Sequence, residues 1–237
     1  MKYYVKNQST DEYEVCEWRW LEREEIGLVT TLMRDAHIEM DDPSHLIPDT
    51  KEDILGYFND GGGCIGAFVK DKLIGFRTFT MPTTDNQAEG LVDPEYHDRV
   101  VHLETVVVLP DYRGNQIQLR SFYFLKAYLP DNKRFLFNTV APQNKGSLVN
   151  IFKTGSVISK IENMYASDHH PEGVLRYLMT NGIITKTSCI YIGVDPDDLA
   201  EQRRLLDSGY AGTHLMEDGR VAYAEIEETA VPYLPLM

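Results

Sequence analysis

Two groups of residues in this chain are equipped for chemistry. The first is the run Val108-Leu109-Pro110-Asp111-Tyr112-Arg113-Gly114-Asn115-Gln116-Ile117-Gln118-Leu119. An apolar strand ends there, a polar turn follows, and a helix begins. Such a helix start offers backbone N–H groups without acceptors and the positive end of the helix dipole. A pyrophosphate suits that place. The second group is His102 and Glu104, near the start of the same strand. Side chains alternate along a strand, so both project to one face. Two other residues have open readings. Arg113 is either half of a surface ion pair or a phosphate ligand. Asn144, three residues before Ser147, is placed to cap a helix.

The elements that position these residues follow from periodicity and punctuation. Ile26, Val29, Leu32 and Met33 give a helix over 21–39. Asp41-Asp42-Pro43-Ser44 is a turn, and Asp49 to Asp53 opens a short capped helix through Phe58. Asn59-Asp60-Gly61-Gly62-Gly63 breaks it and reads as a flexible turn. Cys64–Val69 and Leu73–Met81 form a hairpin across Asp71-Lys72. Residues 83–99 are a long polar loop. Val100–Leu109 is the strongest strand, centred on Val106-Val107-Val108. Gln116–Tyr128 is a helix ended by Pro130. Arg134–Val140 is a strand, Asn144–Thr154 a helix closed by Gly155, and Ser156–Glu162 a strand. Beyond Gly182 come a strand at Cys189–Val194, a helix at Pro196–Leu206 with Pro in its first turn, and strands near 210–215 and 220–226. Residues 1–12 read as a polar lead-in. The expected architecture is α/β, with helices flanking a central sheet.

The 237 residues carry a formal charge of −14, with 43% hydrophobic and 25% charged residues. That balance supports a sizeable core. The negative charge disfavours nucleic acid and anionic membrane surfaces and welcomes cations. No apolar run is long enough to span a bilayer, and the first eight residues carry no signal core. The three cysteines, Cys16, Cys64 and Cys189, have no metal-ligand spacing and read as reduced thiols of a cytoplasmic protein. His169-His170 reads as an exposed loop pair, and no metal is expected. Glu39, Asp41 and Asp42 read as a solvated helix end.

Val108-x-Pro110-x-Tyr112-Arg113-Gly114 before a helix resembles the acetyl-CoA signature of GNAT (GCN5-related) N-acetyltransferases. Thr139-Val140-Ala141-Pro142-Gln143-Asn144, with Ser147 and Gly155 beyond, is similar to the family's second motif. The hairpin Gly66–Phe76 looks like the paired strands ahead of the signature. The likeness covers about residues 20–165. It implies a mixed, mainly antiparallel sheet and acetyl-CoA as acyl donor. Backbone of Val106, Val107 and Val108 would pair with the pantetheine arm, with an N–H near Val107 as oxyanion donor. Amides from Arg113 through Gly114, Asn115, Gln116, Ile117, Gln118 and Leu119 would hold the pyrophosphate, with Asn144 and Ser147 contributing. Glu104 or His102 would be the base. The chain departs from the family pattern in placing Gln116 and Gln118 at positions for small residues. It also carries Ile151 where a tyrosine general acid often sits.

These observations give an expected domain at 1–182 and a C-terminal strand-helix-strand extension at 183–237. The leading reading is an N-acetyltransferase acting on a small-molecule amine in a ternary complex, as a monomer or homodimer. The alternatives are a catalytically silent domain that senses acyl-CoA or a small ligand, and an α/β interaction module with no CoA site.

Overall fold

The structure, a computed structural model, describes residues 2–38, 46–81, 94–132, 135–166 and 170–231. Glu39, Asp41, Asp42, the turn at 41–44, loop positions 83–93, Arg134 and His169 lie outside the described residues. The chain packs as two compact units, Met1–Met81 with Leu103–Asp131, and Pro82–His102 with Asn132–Met237.

The first unit contains β1 (Lys2–Lys6), β2 (Tyr13–Trp20), α1 (Ile26–Ile38), α2 (Lys51–Asn59), β3 (Gly63–Val69), β4 (Lys72–Thr80) and α3 (Ile117–Tyr128). Strand β5 (Val100–Val108) begins in the second unit and completes the first, where the strand order is β1-β2-β3-β4-β5. β1/β2, β2/β3 and β3/β4 are antiparallel. Local chemistry sets these elements. Thr50 and Asp53 form a reciprocal capping box that starts α2. Lys70, with φ of 54°, turns the β3–β4 hairpin. α1 buries Ile26, Val29, Leu32, Met33 and Ala36, which meet Ile54, Phe68, Phe76 and Val107 in one core. Trp18 stacks on Phe124 of α3, with ring centroids 5.8 Å apart.

The second unit contains β6 (Phe135–Val140), α4 (Lys145–Phe152), β7 (Val157–Met164), β8 (Val174–Asn181), β9 (Ile184–Val194), α5 (Leu199–Asp207), β10 (Tyr210–Leu215) and β11 (Val221–Thr229). Its strand order is β5-β6-β8-β7-β10-β11-β9. β5 and β6 are parallel from Val100↔Phe135 to His102↔Phe137, and the later pairs are antiparallel. β10 joins β7 at Gly212↔Ile158, where a Cβ on Gly212 would come within 2.9 Å of the Ile158 side chain.

Both units are mixed α/β, mostly antiparallel and flanked by helices, as expected. Three local expectations need correction. The polar lead-in contains β1, and Tyr13–Trp20 form β2. β8 was not foreseen. Pro196 does not open the last helix, because α5 starts at Leu199 with Asp198 as its cap. The described end of the 83–99 loop, Pro94–Arg99, is a 3-10 helix.

Candidate active site

The strand-to-helix passage of the first unit takes an unusual backbone path. Pro110–Tyr112 form one 3-10 turn, and Arg113 is extended. Gly114 has φ of +82° and Gln116 has φ of +59°. A Cβ on Gly114 would meet nothing closer than Gln8 Nε2 at 3.8 Å, so its backbone angle, not crowding, favours glycine. Gln116 stands in the left-handed region without that freedom. This is the physical content of the departure seen in the sequence. Glutamine occupies a position whose conformation suits glycine, and its side chain is exposed.

Gln116 is the N-cap residue of α3 but makes no side-chain cap. The first intrahelical bond runs from Arg120 N–H to Gln116 O at 2.8 Å. Helix geometry leaves the amides before it without intrahelical acceptors. Arg113 is exposed and pairs with no acid among the described residues. An uncapped helix start beside an unpaired guanidinium fits a phosphate group.

The N-terminal hairpin, absent from the sequence reading, holds this loop. Asn115 Oδ1 accepts from Lys6 N–H at 2.7 Å, and Asn115 Nδ2 donates to Lys6 O at 2.8 Å and Tyr112 O at 2.9 Å. The Asn115 side chain is thereby committed to the fold. Gln8 N–H donates to Asp111 O at 2.7 Å, and Gln8 Nε2 to Arg113 O at 3.2 Å. Tyr112 OH donates to Glu14 at 2.8 Å and holds that carboxyl below its usual range.

Along β5, Val107 is buried while Val106 and Val108 are half-buried. At Thr105 a side chain takes the place of a backbone partner. Thr78 Oγ1 accepts from Thr105 N–H at 3.0 Å and donates to Thr105 O at 3.2 Å. Next to it, Glu104 Oε1 accepts from Thr80 Oγ1 at 2.9 Å. The neighbour that the sequence reading missed is Asp49. Its Oδ1 accepts from Tyr57 OH at 2.9 Å, and its Oδ2 is buried without a hydrogen-bond partner. Burial pushes the Asp49 carboxyl up to about 6, with the Glu104 charge adding to the rise and the hydrogen bond from Tyr57 opposing it. The missed signal was local. Thr50 and Asp53 complete the capping box between themselves, leaving Asp49 with no helix to cap.

The other candidates lie in the second unit. His102 is 1% exposed and stacks flat on Phe137 at 4.1 Å, in the manner of a core residue. Asn144 Oδ1 accepts from Ser147 N–H at 3.0 Å, so it caps α4. Ile151, at the place of the family's frequent tyrosine, is buried in the core. The structure therefore groups Glu104, Val106–Val108 and Arg113–Leu119 in one unit, and His102, Asn144 and Ser147 in the other. Among the described residues, no group of His, Cys, Asp and Glu could hold a metal ion, and no helix is long and apolar enough to cross a membrane.

Residues 13–152 match the family model described as the acetyltransferase (GNAT) family. That span is more than half of the chain, so the chain belongs to the GNAT acetyltransferase family. It is an acyltransferase, of a family whose acyl donor is acetyl-CoA. Solved structures share the fold at low identity. An N-acetyltransferase from Staphylococcus aureus Mu50 is 16% identical with a TM-score of 0.50, covering 70% of this chain and 95% of that one. A GNAT-family acetyltransferase from Streptococcus pneumoniae is 18% identical with a TM-score of 0.52, covering 70% and 98%. A diaminobutyrate acetyltransferase from Paenibacillus lautus, solved with L-2,4-diaminobutyric acid and coenzyme A, is 19% identical with a TM-score of 0.51, covering 70% and 94%. No curated protein matches the sequence significantly.

Proposed function

We propose that this enzyme moves an acetyl group from acetyl-CoA to the amine of a small molecule by direct attack in a ternary complex. One observation carries the reading. A titratable carboxylate, a strand and an uncapped helix start with an unpaired arginine follow one another along β5, its loop and α3.

In this reading the pantetheine arm adds to the backbone of Val106–Val108 like a further strand. The pyrophosphate rests on amides between Arg113 and Leu119, with the Arg113 guanidinium beside it. Asn115 supplies backbone only. Asn144 and Ser147 keep their capping role.

An alkylammonium has a pKa of roughly 10 and must lose a proton before it attacks. Glu104 takes that proton, directly or through water. His102, sealed in its core, is not placed to do so. The nitrogen then forms a C–N bond with the thioester carbon. A backbone N–H near Val107 meets the charge that develops on oxygen. The C–S bond breaks as the nitrogen gives up its second proton, and water carries that proton to the departing CoA thiolate. A thiolate is a fair leaving group, which suits a site with Ile151 in place of tyrosine. Asp49, with one unmet oxygen near Glu104, favours an acceptor that arrives as a cation. The three unpaired cysteines, one of them exposed, agree with a cytoplasmic location.

Thermal unfolding with and without acetyl-CoA tests the donor site. At about 100 times its dissociation constant the ligand adds about 2.7 kcal/mol. For a chain of this length that raises the midpoint by roughly 5–10 °C. An unchanged midpoint at millimolar acetyl-CoA sinks the reading.

A further inference from the structure

Helix α3 starts against a buried arginine. Arg77 on β4 is 4% exposed. Its Nε donates to Ser121 Oγ at 2.8 Å, and its Nη2 donates to Gln118 O at 3.3 Å. Ser121, itself fully buried, donates to the same carbonyl at 2.6 Å. Both acceptors of Arg77 are neutral, and among the described residues no carboxylate pairs with it. A guanidinium moved out of water loses hydration that a hydroxyl and a carbonyl replace only in part. Burial accordingly pushes its pKa down to about 10. A strut between β4 and α3 would need the length of this side chain but not its charge.

The charge has a route to the helix start. Gln118 O belongs to the peptide whose N–H is that of Leu119, in the first turn of α3. Donors on the carbonyl polarise that peptide and strengthen its N–H as a donor. The guanidinium also stands behind the first turn and adds to the helix dipole. Gly75, earlier on β4, permits the close approach. A Cβ there would come within 3.0 Å of Val107 O and 3.2 Å of Ile117 Cγ2.

We propose that Arg77 is a positioning residue for the diphosphate of the acyl donor. It acts through the Gln118–Leu119 peptide and through its charge, and the bound phosphates supply the counter-charge that the fold leaves out. The inference rests on the reading of the α3 start as the phosphate site.

Affinities for CoA and for pantetheine, which shares the thiol arm but lacks the phosphates, separate a phosphate role from a structural one. Isothermal titration of wild type and Arg77→Met should show CoA affinity falling roughly 10-fold or more, while pantetheine affinity changes less than about 2-fold. The ligand-free variant should unfold at the same or a higher temperature. An equal loss for both ligands, or an unchanged CoA affinity, overturns the proposal. If Arg77→Met does not fold, Arg77→Gln keeps neutral donors and carries the same two affinity expectations. A wild-type protein that binds CoA no more tightly than pantetheine overturns the phosphate reading, and the role of Arg77 with it.

Discussion

Three strand-to-helix passages in this chain differ in what they leave available. At α4, Asn144 folds back and caps the first turn. At α5, Asp198 does the same for Glu201 N–H at 3.1 Å. At α3 the N-cap residue Gln116 makes no side-chain cap and takes a left-handed backbone instead. Individual buried polar groups differ in the same sense, although each unit holds some of both kinds. In the second unit, Gln202 Oε1 accepts from Tyr177 OH at 2.8 Å and Tyr223 OH at 2.7 Å, and its amide donates to two backbone carbonyls. In the first unit, Arg77 has only neutral partners, and Asp49 Oδ2 has none. Helix starts and buried charges are ordinarily satisfied by the protein itself. A region that withholds that satisfaction keeps binding capacity for something else, and it does so at a cost in stability.

The sharpest way to break this contrast is to remove the chemistry assigned to the first region. Glu104→Gln should lower turnover at saturating substrates by about 10²–10⁴-fold, with CoA affinity nearly intact. Steady-state kinetics beside a binding isotherm decides it, and unchanged turnover takes Glu104 out of the base role.

Asp49 tests the cost. Its carboxyl rises from the model-compound value of 3.8 to about 6 in the fold, because burial disfavours the charged form. Below pH 4 both folded and unfolded states are protonated and no penalty exists. Between about pH 4 and 6 the unfolded state ionises first, so stability falls as pH rises. Above pH 6 the penalty is complete. Asp49→Asn should therefore raise unfolding free energy by about 2–3 kcal/mol at pH 7–8. The gain should vanish near pH 3.5. Denaturant titrations at both pH values measure it, and a gain of equal size at both would place its origin outside this titration.

Arg113→Ala should weaken CoA binding roughly 10-fold, the worth of one charge-assisted contact. It should leave the unfolding midpoint of the ligand-free protein unchanged, because Arg113 pairs with no acid among the described residues. Asn144→Ala should do the converse. Loss of the α4 cap should cost about 1 kcal/mol of stability and leave CoA affinity unaltered. A fall in CoA affinity for Asn144→Ala would erase the distinction between the two helix starts.

Much of the first region was legible in the sequence because its signals are local. The apolar run of β5, its stop at Pro110 and the helical stripe behind Arg113-Gly114 mark strand, loop and helix without reference to distant residues. The β3–β4 hairpin and the α2 capping box are equally local. What escaped depends on burial from afar. β1 and β2 alternate in burial but not in residue type, since Tyr4, Tyr13 and Val15 lie on the exposed face opposite Val5, Cys16 and Trp18. β8 mixes Arg176, Thr180 and Asn181 into a buried strand, which hides its apolar pattern. The structural role of the Asn115 side chain was hidden because its partner, Lys6, lies far away in the chain. Asp49 and Arg77 become distinctive only once their surroundings exclude water, and no spacing rule reports that.

The Lys6–Asn115 tie spans 109 positions, which matters while the chain is being made. At a ribosomal pace of about 5–20 residues per second, β1 waits roughly 5–20 s for its anchor to emerge. A lone two-stranded ribbon is only marginally stable in water during such a wait. The donor loop is thus among the last parts of the first unit to be fastened. A nascent chain that has not yet extruded β5, its loop and α3 should neither retain CoA nor resist proteolysis at β1, so competence for the acyl donor cannot precede the emergence of α3.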